Sequence, residues 1–76
     1  MRAFILCKLA SGKEQKALQK MRSINGVNEV FMVFGGWDVI LSAEADTIDK
    51  LCGLIVSQVR AVDGVSGTET LVTTNL

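Results

Sequence analysis

The chain has 76 residues, 49% of them hydrophobic, with 8 basic and 8 acidic side chains and a formal net charge of zero. That length predicts one domain, 1–76, which buries only about 60% of the surface its unfolded form exposes. The charge balance argues against direct nucleic-acid binding, which needs clustered Lys and Arg, and no apolar run approaches the roughly 18 residues of a membrane span.

Ala3 to Leu9 is a short, almost wholly apolar run of β-favouring residues, the pattern of a strand buried on both faces. Ala3, Ile5, Cys7 and Leu9 share one face of it, Phe4 and Leu6 the other. Too short for a secretory leader, the run leads into a helix start and not a cleavage site. Ser11-Gly12-Lys13-Glu14 reads as a capping box with Ser11 at the N-cap, and Ala17, Leu18, Met21 and Ile24 then recur at helical spacing. The helix ends near Ile24, and Asn25-Gly26 is a turn or C-cap pair.

A second strand is expected over Val27 to Phe34, with Val27, Glu29, Phe31 and Val33 alternating with Asn28, Val30, Met32 and Phe34. Gly35-Gly36 then makes a tight hairpin into a third strand, Trp37 to Ala45. A second helix follows with Asp46 as N-cap and with Ile48, Leu51, Cys52, Ile55, Val59 and Val62 on one face. Gly53 weakens this helix, or permits a close packing contact. Gly67 to Thr74 forms the last strand, with Thr68, Thr70, Val72 and Thr74 on one face and Glu69, Leu71 and Thr73 on the other. Arg22-Ser23-Ile24-Asn25-Gly26-Val27 matches Arg60-Ala61-Val62-Asp63-Gly64-Val65, so each half reads strand, helix, x-Gly-Val, strand.

The order β-α-β-β-α-β is the signature of a ferredoxin-like α+β fold, a four-stranded antiparallel sheet with two helices on one face. The other face has nothing in the chain to cover it, although both sides of the strands are apolar. A second copy packing sheet to sheet would cover it.

The chemistry is sparse. His and Tyr are absent, and no carboxylates are paired in sequence. No Ser sits in a nucleophile motif, so no enzyme is expected. Cys7 and Cys52 form no C-x-x-C pair, which removes zinc, redox and copper-chaperone readings. Both thiols lie in apolar runs and are expected to be free in a cytoplasmic protein. An RNA-recognition sheet would need aromatics on its exposed face and basic surroundings, but Phe31 and Phe34 fall on opposite faces and Val39-Ile40-Leu41-Ser42-Ala43 of the third strand lacks the aromatic pattern. The stretch Gly35-Gly36-Trp37-Asp38 has two readings. An open backbone turn, a flat aromatic and a carboxylate could hold a small molecule bearing an amine. Equally, Gly-Gly makes the turn, Trp37 packs and Asp38 is solvated.

Several motifs, taken in order, resemble the effector-binding (RAM) domain of the Lrp/AsnC, or feast/famine, transcriptional regulators. They are the strand Ala3 to Leu9, Ile24-Asn25-Gly26-Val27, Gly35-Gly36-Trp37-Asp38 against a G-x-[aromatic]-D pattern, Val62-Asp63-Gly64-Val65, and Thr68-Glu69-Thr70-Leu71-Val72 against T-x-T-x-[apolar]. The resemblance covers essentially the whole chain.

It implies a homodimer formed through the sheets, dimers assembling further into an octamer-like ring, and an amino-acid effector held between dimers with no cofactor. Carried over by position, Gly35 and Gly36 would offer backbone groups, and Asp38 would meet the α-ammonium or orient the loop that does. Thr68 and Thr70 would supply hydroxyls, and Trp37 and Val72 would shape the pocket. Full members carry an N-terminal helix-turn-helix domain, whereas this sequence starts at the first effector-domain strand. With Met1 as its true start it would be a stand-alone module. It would either sense an amino acid or co-assemble with full-length Lrp/AsnC regulators. A small dimeric α+β barrel enzyme is the remaining alternative.

Overall fold

The computed structural model describes residues 1–74. Its elements are β1 (Arg2–Leu9), α1 (Glu14–Arg22), β2 (Val27–Met32), β3 (Val39–Glu44), α2 (Ile48–Leu54), a π-helical turn (Ile55–Val59) and β4 (Val65–Val72). The strands form one antiparallel sheet in the order β2-β3-β1-β4. This is the ferredoxin-like α+β fold expected from the element order.

Period-two patterning in the central strands builds the core. Ala3, Ile5 and Cys7 of β1 pair with Ala43, Leu41 and Val39 of β3, and all six are fully buried. They share one cluster with Ala17, Leu18, Met21 and Ile24 from the first helical segment and Leu51, Ile55, Val59 and Val62 from the second. Both helices therefore cover the same face. On the opposite face two cross-strand rows run from edge to edge, Phe31–Ile40–Leu6–Glu69 and Glu29–Ser42–Phe4–Leu71. Phe31 and Leu71 there are 53% and 51% exposed.

The internal repeat extends further than the matched letters. Gly26 and Gly64 both take positive φ, +99° and +100°, which a side chain disfavours. The Gly26 carbonyl accepts from the Glu44 N–H and the Gly64 carbonyl from the Ala10 N–H, so each corner holds the end of a neighbouring strand. One residue after each corner the register shifts, leaving Asn28 unpaired in β2 and Ser66 unpaired in β4. These bulges break strict alternation. Val27 consequently shares the helix-covered face with Val30 and Met32, not with Glu29 and Phe31 as alternation predicts.

Other expectations are corrected at element ends. Ser11 does not cap α1. Gly12 turns with φ +87°, its N–H donates to Glu14 Oε1, and the helix begins at Glu14 after Lys13 without a side-chain cap. Thr47, not Asp46, caps α2, its hydroxyl accepting from the Lys50 N–H. Asp46 lies outside the helix within 3.8 Å of the Lys50 ammonium.

Along α2, the π turn and the residues after it the buried stripe is Leu51, Ile55, Val59 and Val62, while Ile48 is 43% exposed and Cys52 is exposed. On a pure α-helix, residues four apart drift steadily around the axis. The wider π turn, closed by the Arg60 N–H on the Ile55 carbonyl, brings Val59 back over the core. Gly53 makes no close packing contact, since a Cβ there would meet nothing within 4 Å.

Candidate functional site

The β2–β3 connection is longer than a two-residue Gly-Gly turn. The strands stop at Met32 and resume at Val39, and the Val33 N–H donates to the Asp38 carbonyl across a loop of Phe34, Gly35, Gly36 and Trp37. Only Gly35 has positive φ, +137°, whereas a two-residue type I′ turn needs it at both positions. Gly35 and Gly36 are exposed, with open space where side chains would stand. Phe34 is 106% exposed, and Trp37 and Asp38 are half-buried.

Asp38 ties this loop to β1. Its N–H donates to the Cys7 carbonyl at 2.9 Å, and its Oδ2 accepts from the Leu9 N–H at 2.8 Å. Beyond the last β1–β3 pair, Cys7 with Val39, the carboxylate takes the place of a strand carbonyl. Asp38 is thus bonded and not simply solvated, and one of its oxygens is engaged.

The threonines lie across β1 from this loop. Thr68, Thr70 and Val72 pair with Cys7, Ile5 and Ala3, on the helix-covered face of the edge strand. Two strand spacings of about 4.8 Å separate them from β3. Thr68 and Thr70 line a groove of about 370 Å³ together with Cys52, Ile55, Val56 and Arg60. A second depression of about 210 Å³, lined by Arg60, Val65, Ser66, Gly67 and Thr68, continues along β4 past the Ser66 bulge. Arg60 and Thr68 border both. The structure thus brings together Thr68 and Thr70. Gly35, Gly36, Trp37 and Asp38 stand in the hairpin, and Val72 lies further along β4, partly exposed.

Sequence reasoning missed the groove's helical wall. Cys52, Val56 and Arg60 recur at spacing four, one position after the buried stripe Leu51, Ile55, Val59. That second stripe was available as a signal. The groove is apolar at the Cys52, Ile55 and Val56 end and polar at the Arg60, Ser66 and Thr68 end, so it suits a small amphipathic molecule. Neither lining contains an acidic residue or a set of metal ligands, and no cluster of three or more such ligands occurs among the described residues. Cys7 belongs to the core, and burial pushes its thiol up to about 11. Both cysteines are free. No helix among the described residues is long and apolar enough to cross a membrane.

Comparison with known proteins agrees with this architecture. The family model "Lrp/AsnC ligand binding domain" matches residues 2–75. An uncharacterised HTH-type transcriptional regulator of Pyrococcus furiosus is 33% identical over 73 residues, covering 92% of this chain and 49% of its own length. The regulatory protein AsnC of Escherichia coli K12 is 29% identical over 70 residues, covering 91% and 46%. The chain therefore spans about half the length of the curated relatives it matches.

Among solved structures, FFRP-DM1 superposes with a TM-score of 0.91 at 32% identity, covering 96% of this chain and 97% of that one. E. coli AsnC superposes at 0.87 and 28% identity, covering 97% and 51%. The relatives are regulators, and their likeness gives the domain a ligand-binding, non-catalytic role. With the family model matched almost from end to end, this chain belongs to the Lrp/AsnC ligand-binding domain family.

Proposed function

We propose that this chain is an amino-acid-binding, oligomer-forming regulatory module, residues 1–76. It would act on transcription or amino-acid metabolism indirectly, through ligand-dependent assembly. The observation that carries the reading is the groove between the π turn and β4, in which Thr68 and Thr70 stand opposite the apolar wall of Ile55 and Val56. Within the family match, such a groove offers hydroxyls for the polar end of an amino acid and an apolar wall for its side chain.

The hairpin Gly35-Gly36-Trp37-Asp38 enters the site from a neighbouring subunit, and Asp38 orients that loop through its bond to Leu9. Val72 shapes the pocket from the β4 edge. A transcriptional regulator of Neisseria meningitidis, similar in fold at 17% identity, was solved in complex with L-Met. It is one fold relative whose bound ligand is an amino acid.

Assembly follows from the uncovered sheet face. Phe31 and Leu71 flank Phe4, Leu6 and Ile40 there, and the Ser42 hydroxyl is buried without a hydrogen-bond partner among the described residues. An apolar sheet face of this kind is covered by a second copy under two-fold symmetry. Sedimentation of the protein with and without each amino acid tests the whole reading. The expected result is a dimer or larger species whose size distribution shifts with a selective ligand, and a monomer for the double variant Phe31→Asp, Leu71→Asp. A monomeric wild-type protein, or an assembly indifferent to every amino acid, would refute it.

A further inference from the structure

The groove does more than offer hydroxyls, because its lining is charged on one side only. Arg60 borders both depressions and is the one ionic side chain in either. The ion pairs among the described residues engage Arg2, Lys13 and Lys50, and none engages Arg60. Its backbone is held in place. The π turn closes through the Arg60 N–H on the Ile55 carbonyl, and such turns recur at functional sites. Arg60 shares one depression with Ile55, Val56 and Cys52 and the other with Ser66 and Gly67, and Thr68 borders both with it.

We infer that Arg60 anchors the carboxylate of a small apolar acid in this groove, and that the site therefore takes 2-oxo acids as well as amino acids. The inference rests on the ligand-binding reading above and adds the group that is recognised. A guanidinium presents a planar fork of donors that matches a carboxylate in two-point contact. With the carboxylate at Arg60, an apolar side chain of the ligand lies against Ile55 and Val56.

The α-substituent then faces Thr68 and Thr70. A threonine hydroxyl both donates and accepts, so it satisfies a keto oxygen or an ammonium equally. Discrimination in favour of the ammonium would require a carboxylate; this subunit's own lining has none among the described residues, and the one that a neighbouring hairpin would bring is Asp38, which acts as a latch. The hairpin's acid, Asp38, already bonds the Leu9 N–H.

The test is calorimetric titration of the intact protein with matched triplets: leucine, methionine, valine or phenylalanine, the corresponding 2-oxo acid, and the corresponding decarboxylated amine. The expected result is that at least one amino acid and its 2-oxo acid bind within about tenfold of each other while the amine does not bind. Arg60→Gln should weaken both acids by roughly tenfold to a hundredfold, the loss of a charge-assisted contact. Arg60→Lys should keep part of the affinity, because it retains charge without the fork. Arg60 is exposed, so its variants keep the fold, which their unchanged melting temperature verifies.

Equal binding by wild type and Arg60→Gln would overturn the role of Arg60 and leave the amino-acid reading standing. Binding of the amine with rejection of the 2-oxo acid would overturn it as well, since the ammonium would then be what is read. Binding confined to polar amino acids would contradict the apolar end. Failure of every amino acid and every 2-oxo acid to bind the wild-type protein would remove the amino-acid reading and this inference together.

Discussion

Replacing Asp38 by Ala separates a latch from a ligand contact. In the structure the Asp38 carboxylate accepts the Leu9 N–H at 2.8 Å in a half-buried setting, one residue beyond the last β1–β3 pair. A hydrogen bond to a charged acceptor contributes about 1.5–3 kcal/mol, and partial exposure lowers that figure. Truncation leaves the Leu9 N–H to find water, while the backbone bonds of Asp38 to Cys7 and Val33 remain. The net loss is about 1–2 kcal/mol. In a domain under 100 residues each kcal/mol moves Tm by about 4–8 °C, so Asp38→Ala should melt roughly 4–15 °C lower without any ligand present. Asp38→Asn keeps an acceptor oxygen in place and should lose less than half as much. Urea denaturation with near-UV detection of Trp37, which sits next to the latch, reads both variants. An Asp38→Ala protein as stable as wild type would refute the latch and return Asp38 to the status of a free carboxylate.

Further outcomes follow from the same structure. Gly26→Ala should destabilise by about 2–4 kcal/mol, because its positive φ disfavours a side chain and the new methyl would run into Leu54. Gly53→Ala should stabilise by up to about 1 kcal/mol, since nothing lies within 4 Å of the added carbon; paired thermal melts check both. A thiol reagent should label Cys52 rapidly in the native protein and Cys7 only on unfolding, because burial removes Cys7 from solvent and raises its pKa. The hydrogen bond and charge of Arg2 hold the Glu44 carboxyl below its ordinary value. The stability this pair contributes is fully present above the ordinary glutamate value and is lost as pH falls through the lowered one. Acid titration of stability in Arg2→Gln should lack that component.

Much of the fold is written in short-range pattern. The apolar run Ala3 to Leu9 as a strand, the helical stripe at Ala17, Leu18 and Met21, and the two x-Gly-Val corners are local signals, and each survives in the structure, although the Phe4 and Leu6 face of the strand is only half-buried. Features decided by tertiary pairing were not legible. The bulges at Asn28 and Ser66 invert the facing of everything upstream of them within their strands, and no propensity marks either residue. Along the second helical segment, Ile48 and Cys52 lie off the buried stripe that simple helical counting gives them, while the π turn keeps Val59 on it.

At the site, the shared face of Thr68 and Thr70 on β4 was readable from its period of two, their role only through the family resemblance, and the groove they line was not. The groove's other wall is a second stripe on α2 and the π turn, hidden beside a stronger apolar one. The hairpin motif was readable as a loop, but its carboxylate bonds an amide of β1, 29 positions away in sequence, which only the sheet order reveals.

The most direct test of the account is thermal stability at fixed protein concentration, with and without each proteinogenic amino acid. A ligand at 100 times its Kd stabilises the folded state by about 2.7 kcal/mol. In a domain of this size that is a rise of roughly 10–20 °C. Such a rise is expected for a selective subset of amino acids and should be lost in Thr70→Val, whose exposed position leaves the fold intact. No rise with any amino acid at millimolar concentration would contradict it.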